Sequence, residues 1–499
     1  GPGATNAITG IADAMSDSVP LLVFTGQVAK AGIGKDAFQE ADIVGITTPI
    51  TKYNYQVRET AEIPRIITEA IHIATTGRPG PVVIDLPKDV SALETDFIYD
   101  SKLHLPSYQP TIEPNELQIK KIIKQISKAK KPVLLSGGGI SYAEAAAELV
   151  ALAERYQIPV VTTLLGQGTI ATDHPLFLGM GGMHGSFAAN IAMTEADFMI
   201  SIGCRFDDRL TGNPKTFAKN AKVAHIDIDP AEIGKIISVD IPIVGDAKKA
   251  LQMLLNEEQV HNNTSKWIEK VTQDKERVRS YDKKERVVQP QAVIERVGEL
   301  TKGDAIVVTD VGQHQMWAAH YLHFSRPHSW LTSAGAGTMG YGVPAAMGAK
   351  KAAPDRPVWL IDGDGCFQMT NQELATCTLN DIPIKVAIIN NSSLGMVRQW
   401  QTLFYGQRYS NTDLHTGAGT RRIPDFVKMA DAYGAVAMRC ERLEDLDDVI
   451  ARANAINDRP VVIDFIVSAD AQVWPMVAAG VSNDEIQHAR GMSPVWEEE

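Results

Sequence analysis

Eight apolar, largely β-branched runs punctuated by Gly, Asp and Asn constrain this 499-residue chain more than any other feature. They are PLLVFTG (20 to 26), GPVVIDLP (80 to 87), KPVLLSG (131 to 137), DFMISIG (197 to 203), KVAHIDID (222 to 229), DAIVVTD (304 to 310), PVWLIDG (357 to 363) and IKVAIIN (384 to 390). Continuous runs of this length, with helical patterns between them, build parallel sheets covered by helices on both faces. The expected class is α/β, with doubly wound parallel sheets. A prior of about 150 residues per domain gives about three domains. HLPSYQPTIEPN (104 to 115) is Pro-rich and unpatterned, and the charged stretch Asn256 to Lys284 reads as a helix followed by a linker, before Gln289-Pro290 opens a new helix. These breaks give segments 1–105, 115–255 and 286–499. Arg78-Pro79-Gly80-Pro81-Val82-Val83-Ile84-Asp85 is echoed by Arg459-Pro460-Val461-Val462-Ile463-Asp464, each after a helical segment. Many unrelated buried strands begin in the same way.

The balance of charge excludes some partners. With a net charge of -12 and Lys and Arg scattered rather than striped, the field repels a phosphate backbone, so nucleic acid is not an expected partner. The four cysteines, Cys204, Cys366, Cys377 and Cys440, form no CxxC pair, which argues against a zinc site or disulfide framework and fits a reducing cytosol. No run approaches the roughly 18 apolar residues of a membrane span. A soluble, cytoplasmic protein is expected. The opening Gly1-Pro2-Gly3-Ala4-Thr5-Asn6 follows no strand or initiator Met, so an N-terminally truncated chain is also expected.

GDG (363 to 365) and NN (390 and 391) stand with 24 residues between them, and each closes an apolar run. PVWLID, the helix-like TNQELATCTLN and IKVAIIN then make one right-handed βαβ unit. Its parallel strands end on one edge, where open α/β sheets bind ligands, so Asp364 and Asn391 face one crevice. A carboxylate, an amide oxygen and a carbonyl just beyond, with room for water, suit Mg2+, which shares its shell with substrate phosphates. Gly363 and Gly365 would let the backbone approach those phosphates, and Thr370 with Glu373 has the spacing of a capping box. Two ordinary strand-end turns would give the same letters singly; together they read as a site for a metal and a diphosphate.

Other stretches leave alternatives open. Gly335 to Gly340 matches GxGxxG with Asp362 downstream, a nicotinamide dehydrogenase pattern, but SWLTSAG before it is a poor strand and Asp362 runs into GDG. KPVLLSGGG is a strand running into glycines and a helix, an opening shared by α/β domains with and without a nucleotide. Met396 and Trp400, at i and i+4, would share one helix face, in a core or in a pocket. RFDDR (205 to 209) is either a solvated charge cluster or a ligand contact at a strand end.

The spaced GDG and NN look like the thiamine diphosphate signature. Over essentially its whole length the chain resembles the catalytic subunit of the FAD-containing acetohydroxyacid synthases (acetolactate synthases) of branched-chain amino-acid synthesis. Motifs carrying the resemblance are GQV (26 to 28), DAFQEAD (36 to 42), GRPGPVVIDLPKDV (77 to 90), GMHG (182 to 185), RFDDR, HIDIDPAEIGK (225 to 235), DVGQHQMWAA (310 to 319), GTMGYGVPAA (337 to 346) and GMVRQWQ (395 to 401). The resemblance implies three domains: a partial pyrimidine-binding domain, a central FAD-associated domain and a domain for diphosphate and Mg2+. It implies thiamine diphosphate, Mg2+ and FAD as cofactors.

Residue by residue, the resemblance assigns the metal to Asp364, Asn391 and Ser393, and the thiamine cofactor to Gly312, Gln313, His314, Gly337, Met339, Gly365 and Met396. FAD falls to Gly137, Gly138 and Gly139, to the turn Gly182-Met183-His184-Gly185, to Arg205, Asp207 and Arg209, and to Asp227, Ile228 and Asp246, with Arg78 reaching in from the first domain. Gln39, Lys88, Val311, Met339 and Met396 take catalytic positions, while Phe38, Arg209 and Trp400 bind substrate. The implied reaction is decarboxylation of pyruvate and addition of its hydroxyethyl unit to a second pyruvate or to 2-ketobutyrate. Implied partners are a second copy, as homodimer or homotetramer with active sites between subunits, and a regulatory small subunit. The family's activating glutamate would lie upstream of Gly1, so this chain alone is expected to form little acetolactate. An oxygen-consuming or FAD-free thiamine enzyme and a non-enzymatic remnant are the competing readings.

Overall fold

The computed structural model describes residues 1–98, 103–276, 288–414 and 423–487. They form two compact units, one of residues 1–112 with 333–338, the other of residues 113–332 with 339–499. The latter part of the charged stretch, 277–284, lies outside the described residues.

In the first unit, β1 (Leu21–Gln27), β2 (Tyr53–Gln56) and β3 (Pro81–Pro87) form a parallel sheet in the order β1-β3-β2. β3 is central and almost wholly buried, as its unbroken apolar sequence requires. Its one acid, Asp85, is fully buried and accepts from Thr25 Oγ1 at 2.8 Å and from the side-chain amides of Gln27 and Gln56 at 3.1 and 3.3 Å. Helix Ile63–Thr75 buries Ile66, Ala70, Ile73 and Ala74, a stripe at helical spacing.

The second unit holds two six-stranded parallel sheets. The central one comprises β4 (Pro132–Ser136), β5 (Val160–Thr162), β6 (Phe177–Met180), β7 (Phe198–Ile202), β8 (Lys222–Asp227) and β9 (Ile241–Val244), in the order β6-β5-β4-β7-β8-β9. The chain winds one way from β4 and then restarts on the other side at β7, so a topological switch point lies between them. Helix Glu116–Ile126 covers one face with Ile119, Ile122, Ile123 and Ile126, and Asn115 caps it by accepting from the backbone N–H groups of Leu117 and Gln118. Helix Ser265–Glu276 packs Trp267 and Val271 on the other face.

The last sheet comprises β10 (Ile306–Thr309), β11 (Trp330–Thr332), β12 (Val358–Gly363), β13 (Lys385–Asn390), β14 (Val436–Cys440) and β15 (Val461–Ile466), in the order β11-β10-β12-β13-β15-β14. Its switch point falls between β10 and β12. Helix Pro290–Leu300 starts with Pro at its first turn, as Gln289-Pro290 led one to expect. The echoed segments are β3 and β15, each preceded by a helix, and Asp464 repeats the buried role of Asp85 by accepting from Asn390 Nδ2 at 2.8 Å.

One local expectation fails. The crossover after GDG does not begin with a capping box at Thr370 and Glu373. A helix begins directly at Asp364 and runs to Thr370, and a second spans Glu373–Leu379. Thr370 Oγ1 donates to the carbonyl of Gly340 at 2.9 Å, and Glu373 accepts from Thr376 Oγ1 instead. The hydroxyl found a long-range partner that no local pattern announces.

Candidate functional site

The switch point of the last sheet collects the ends of β10, β12 and β13. After β10 come Asp310, Val311, Gly312 and helix Gln313–Tyr321; after β12 comes helix Asp364–Thr370; after β13 come Asn391, Ser392, Ser393 and helix Gly395–Phe404. Parallel pairing of β10 with β12 and of β12 with β13 sets these loops side by side. The N-termini of helices Gln313–Tyr321 and Gly395–Phe404 therefore face one crevice, which favours a bound anion.

Contacts between the loops are close. Any Cβ at Gly363 would stand 2.9 Å from the His314 ring, one at Gly365 2.7 Å from Leu394, and one at Gly395 2.1 Å from Gln313 Oε1 and 2.5 Å from Asn391 Nδ2. The glycines of GDG thus make room for His314 and Leu394, a reason the motif alone did not supply. Asn391 Nδ2 donates to Gln313 Oε1 at 3.3 Å, and Asn391 Oδ1 accepts from Ser393 N at 3.0 Å.

The electrostatics call for a cation. Asp364 is 2 % exposed, its Oδ2 has no hydrogen-bond partner, and burial pushes its carboxyl up to about 7, with the backbone N–H groups of Asp364 itself, Ser392 and Gly365 opposing part of that. Asp362, fully buried, is held well above the ordinary range by burial and then by Asp310. Asp310 is raised by burial too, although it accepts from the backbone N–H groups of Val311, Gly340 and Gly342. His314 is driven down to about 3 by burial and so is neutral, with its Nε2 unpartnered. Three buried acids with no cationic side chain among their hydrogen-bond partners in the described residues form the kind of site that a divalent metal completes, and Asp364 with the Asn391 amide fits a hard cation.

Met396 and Trp400 lie on one face of helix Gly395–Phe404 and line a cavity of about 540 Å³ with Val397, Gln401, Tyr405, Arg408 and Ser410. Trp400 meets Phe404 edge to face at 5.7 Å. Arg209 is not among the lining residues; its guanidinium lies 3.4 Å from Asp208. Met339 is partly exposed, 3.8 Å from the position a Cβ on Gly365 would take.

At the central sheet's switch point, Gly137 and Gly139 pack on Gly203, so tightly that a Cβ on Gly137 would stand 2.0 Å from the Gly203 carbonyl oxygen. Asp207 caps helix Asp208–Thr211 by accepting from the backbone N–H groups of Arg209 and Leu210, Phe206 is buried, and Arg205 is half-buried. The GMHG turn comes to RFDDR directly: Met183 N donates to Arg209 O at 2.7 Å, and a Cβ on Gly182 would stand 2.3 Å from that same oxygen. Asn190, which the sequence reading missed, pins this turn by bonding both the N–H and the carbonyl of Gly182 at 2.8 and 2.9 Å. His184 is buried, its Nδ1 unpartnered, and pushed down to about 3 by burial and then by His320. Asp227 accepts from Asp229 N across Ile228, while Asp246 caps helix Ala247–Asn256 through Lys249 N. Gly138 begins the short helix Gly138–Tyr142.

In the first unit, Phe38 and Gln39 are exposed, Gln39 with φ +65, and Lys88 is exposed at the start of helix Lys88–Ala92. Arg78 bonds Ser18 Oγ at 2.9 Å and the carbonyls of Met15 and Ser16. Segment 333–338 belongs to this unit, held by two acids the sequence reading missed. Asp17 accepts from the backbone N–H groups of Ala334 and Gly335 at 2.8 and 2.7 Å, and Asp13 accepts from Ser333 Oγ and Thr338 Oγ1. Gly337, further along the same turn, has φ +66. The first glycine of the dehydrogenase pattern has thus already given its N–H to Asp17.

A crevice of this make, at the switch point of a doubly wound sheet, defines a thiamine diphosphate enzyme, and comparison with known families agrees. Residues 310–465 match the thiamine pyrophosphate enzyme C-terminal TPP binding domain, 119–254 the central domain and 1–46 the N-terminal TPP binding domain. The chain is 54% identical over 505 residues to the acetolactate synthase of Mycobacterium bovis, covering 100% of this chain and 81% of that protein. It is 53% identical over 503 residues to the acetolactate synthase large subunit of Corynebacterium glutamicum (100% and 80% covered) and 53% over 487 residues to that of Lactococcus lactis subsp. lactis (97% and 83%). The chain belongs to the acetolactate synthase large subunits. Among the described residues no helix is long and apolar enough to cross a membrane.

Proposed function

We propose that this chain is the catalytic subunit that forms acetolactate from two molecules of pyruvate, and acetohydroxybutyrate from pyruvate and 2-ketobutyrate, at the entry to branched-chain amino-acid synthesis. Bound thiamine diphosphate supplies the electron sink that lets a 2-keto acid lose carbon dioxide and its remaining carbons add to a second 2-keto acid. The single observation that carries the reading is the buried Asp364, whose Oδ2 has no hydrogen-bond partner, beside Asn391 at a switch point ringed by helix N-termini.

Asp364, Asn391 and the Ser393 carbonyl hold Mg2+; Gly312, Gln313 and His314 receive the diphosphate, with Gly365 alongside. Met339, Val311 and Gly337 support the cofactor's reactive rings. Met396 and Trp400 give the acceptor's alkyl group an apolar wall, and Arg209 holds its carboxylate by a charge-assisted fork. Phe38, Gln39 and Lys88 line the approach. For FAD, the buried, unpartnered His184 Nδ1 and the glycine-rich turns at Gly137–Gly139 and Gly182–Gly185 fit a nucleotide, with Arg78, Arg205, Asp207, Asp227, Ile228 and Asp246 around it. The working enzyme is a dimer or tetramer joined by a regulatory subunit, in the cytoplasm.

The test is acetolactate formation by the holoenzyme with pyruvate, Mg2+, thiamine diphosphate and FAD, together with isolation of the yellow flavin from the purified protein. Flavin with acetolactate supports the reading. Oxygen uptake with acetyl phosphate or acetate as product would replace it with an oxidase.

A further inference from the structure

The segment after β15 leaves its own sheet and lies along the central one. Val477 N donates to Met183 O at 2.7 Å, Asn213 N to Val481 O at 2.9 Å, and Asn483 Nδ2 to Leu210 O at 2.9 Å. Val477 and Ile486 share an apolar cluster with Phe187. Gly212, with φ +56, has no room for a side chain because the Val481 carbonyl would stand 2.6 Å from its Cβ. Residues 473–487 thus form a strap across the turns that carry Arg209 and Met183.

One side chain pins the strap's near end. Gln399 is 1 % exposed and precedes Trp400. Its Oε1 accepts from Val473 N at 2.8 Å and from Gln313 Nε2 at 2.9 Å; its Nε2 donates to Val473 O at 3.0 Å and reaches Met476 Sδ at 3.7 Å. Both donors and both acceptor sites of the carboxamide are used. Gln313 continues the line, donating also to Ala471 O at 3.0 Å and accepting from Asn391 Nδ2 at 3.3 Å.

We propose that Gln399 is a positioning residue that ties the metal and diphosphate site to the strap, and through it to the seat of Arg209; this rests on the acetolactate synthase reading. The two ends of an amide differ chemically, so orientation passes along the chain. An Asn391 whose oxygen faces a cation presents its NH2 to Gln313 Oε1. That leaves the Gln313 NH2 for Gln399 Oε1, and the Gln399 NH2 for the Val473 carbonyl. Reversing any one amide breaks bonds on both sides of it, among three side chains that are all buried.

Hydrogen exchange of the holoenzyme, with and without Mg2+ and thiamine diphosphate, tests this. In the wild type the cofactors slow exchange at 473–487 and 209–213. In Gln399→Met, similar in length but without the amide, both cofactors still bind within about threefold, the slowing at the strap disappears, and KM for pyruvate rises about tenfold with kcat changed less than about threefold. Gln399→Glu regains the wild-type KM as pH is lowered and its carboxyl takes the proton needed to donate to Val473. A merely structural glutamine would lower Tm and leave the strap responding to cofactor, and that result overturns the proposal. So does a wild-type strap indifferent to cofactor. If Gln399→Met does not fold, Asn483→Ala decides, since it cuts the Leu210 bond and leaves the one from Asn213 to Val481: the response is then kept near 473 and 213 and weakened at 209–211, and an unchanged response there is again a refutation. Acetolactate without coupling sinks this inference alone, whereas coupling without acetolactate sinks the functional reading alone.

Discussion

Replacing Asp364 by Asn should stabilise the cofactor-free protein while abolishing its cofactor binding. In the fold this carboxyl protonates at about 7, because burial opposes its charge, against an ordinary 3.8. The folded state therefore binds the proton more tightly than the unfolded state. The sign follows: the group costs nothing below pH 3.8, its cost grows as pH rises between 3.8 and about 7, and it is constant above. At 1.36 kcal/mol per tenfold the full cost is about 4 kcal/mol. An Asn side chain carries no charge at any of these pH values and keeps an oxygen for the backbone N–H groups that Asp364 meets. In EDTA at pH 8 the variant should thus melt above the wild type by about 4–8 °C, taking about 1–2 °C per kcal/mol for a unit larger than those with about 2–4 °C. By pH 4 the gap should fall below about 1 kcal/mol, because the wild-type carboxyl is then protonated when folded and half protonated when unfolded. Adding Mg2+ and thiamine diphosphate at pH 8 should reverse the order, since a ligand bound only by the folded wild type raises its stability with concentration. Thermal unfolding followed by tryptophan fluorescence reads all three conditions. A variant that melts below the wild type in EDTA at pH 8, or a gap equal at pH 8 and pH 4, would refute the claim that Asp364 is a stranded charge awaiting a cation.

Four further outcomes are expected. Mg2+-dependent binding of thiamine diphosphate should weaken about tenfold per pH unit below 7, as the proton competes for Asp364, and titration calorimetry at pH 8, 7 and 6 would show it. Gly395→Ala should lower thiamine diphosphate affinity at least about tenfold, because its Cβ would displace both Gln313 Oε1 and Asn391 Nδ2, whereas FAD retention should not change. Trp400→Leu should reduce the preference for 2-ketobutyrate over pyruvate as acceptor by about 1–3 kcal/mol, the worth of one methylene in an apolar pocket, measured as the product ratio in competition. Asp17→Ala should speed hydrogen exchange at Ala334 and Gly335, whose N–H groups lose their acceptor.

The sheets were legible because their signal is local. An unbroken apolar run bounded by Gly and Asp has few other uses, and every one of the eight runs contains a strand. β2, with its half-exposed YNYQ, and the three-residue β5 and β11 give no such run and were missed. Asp364 and Asn391 were legible for the same reason, since parallel pairing converts a spacing of residues into adjacency at an edge. Asp13 and Asp17 were not, because their partners lie more than 300 positions away and an acid near a helix end is ordinary in sequence. Gln399 was read past as a neighbour of Trp400, and nothing in GMVRQWQ marks a glutamine whose partners are backbone groups of residue 473.

The two switch points of the second unit show why strand ends tell more than strands. Both lie between the first strand of a sheet and the strand that restarts the winding, at the carboxyl edge, and both are preceded by apolar runs of similar composition. In the central sheet the chain places Gly137, Gly139 and Gly203 there, and backbone closes on backbone until no side chain could enter. In the last sheet it places Asp310, Asp362 and Asp364, and burial raises the proton affinity of all three. Glycines packed in this way leave no buried charge to neutralise. Buried acids do leave one, and Asp364 Oδ2 is without a hydrogen-bond partner. The free energy missing from the second edge is what a cation and its diphosphate can restore, so cofactor affinity at that edge should be set by how poorly the empty site is solvated as much as by the contacts it makes when filled.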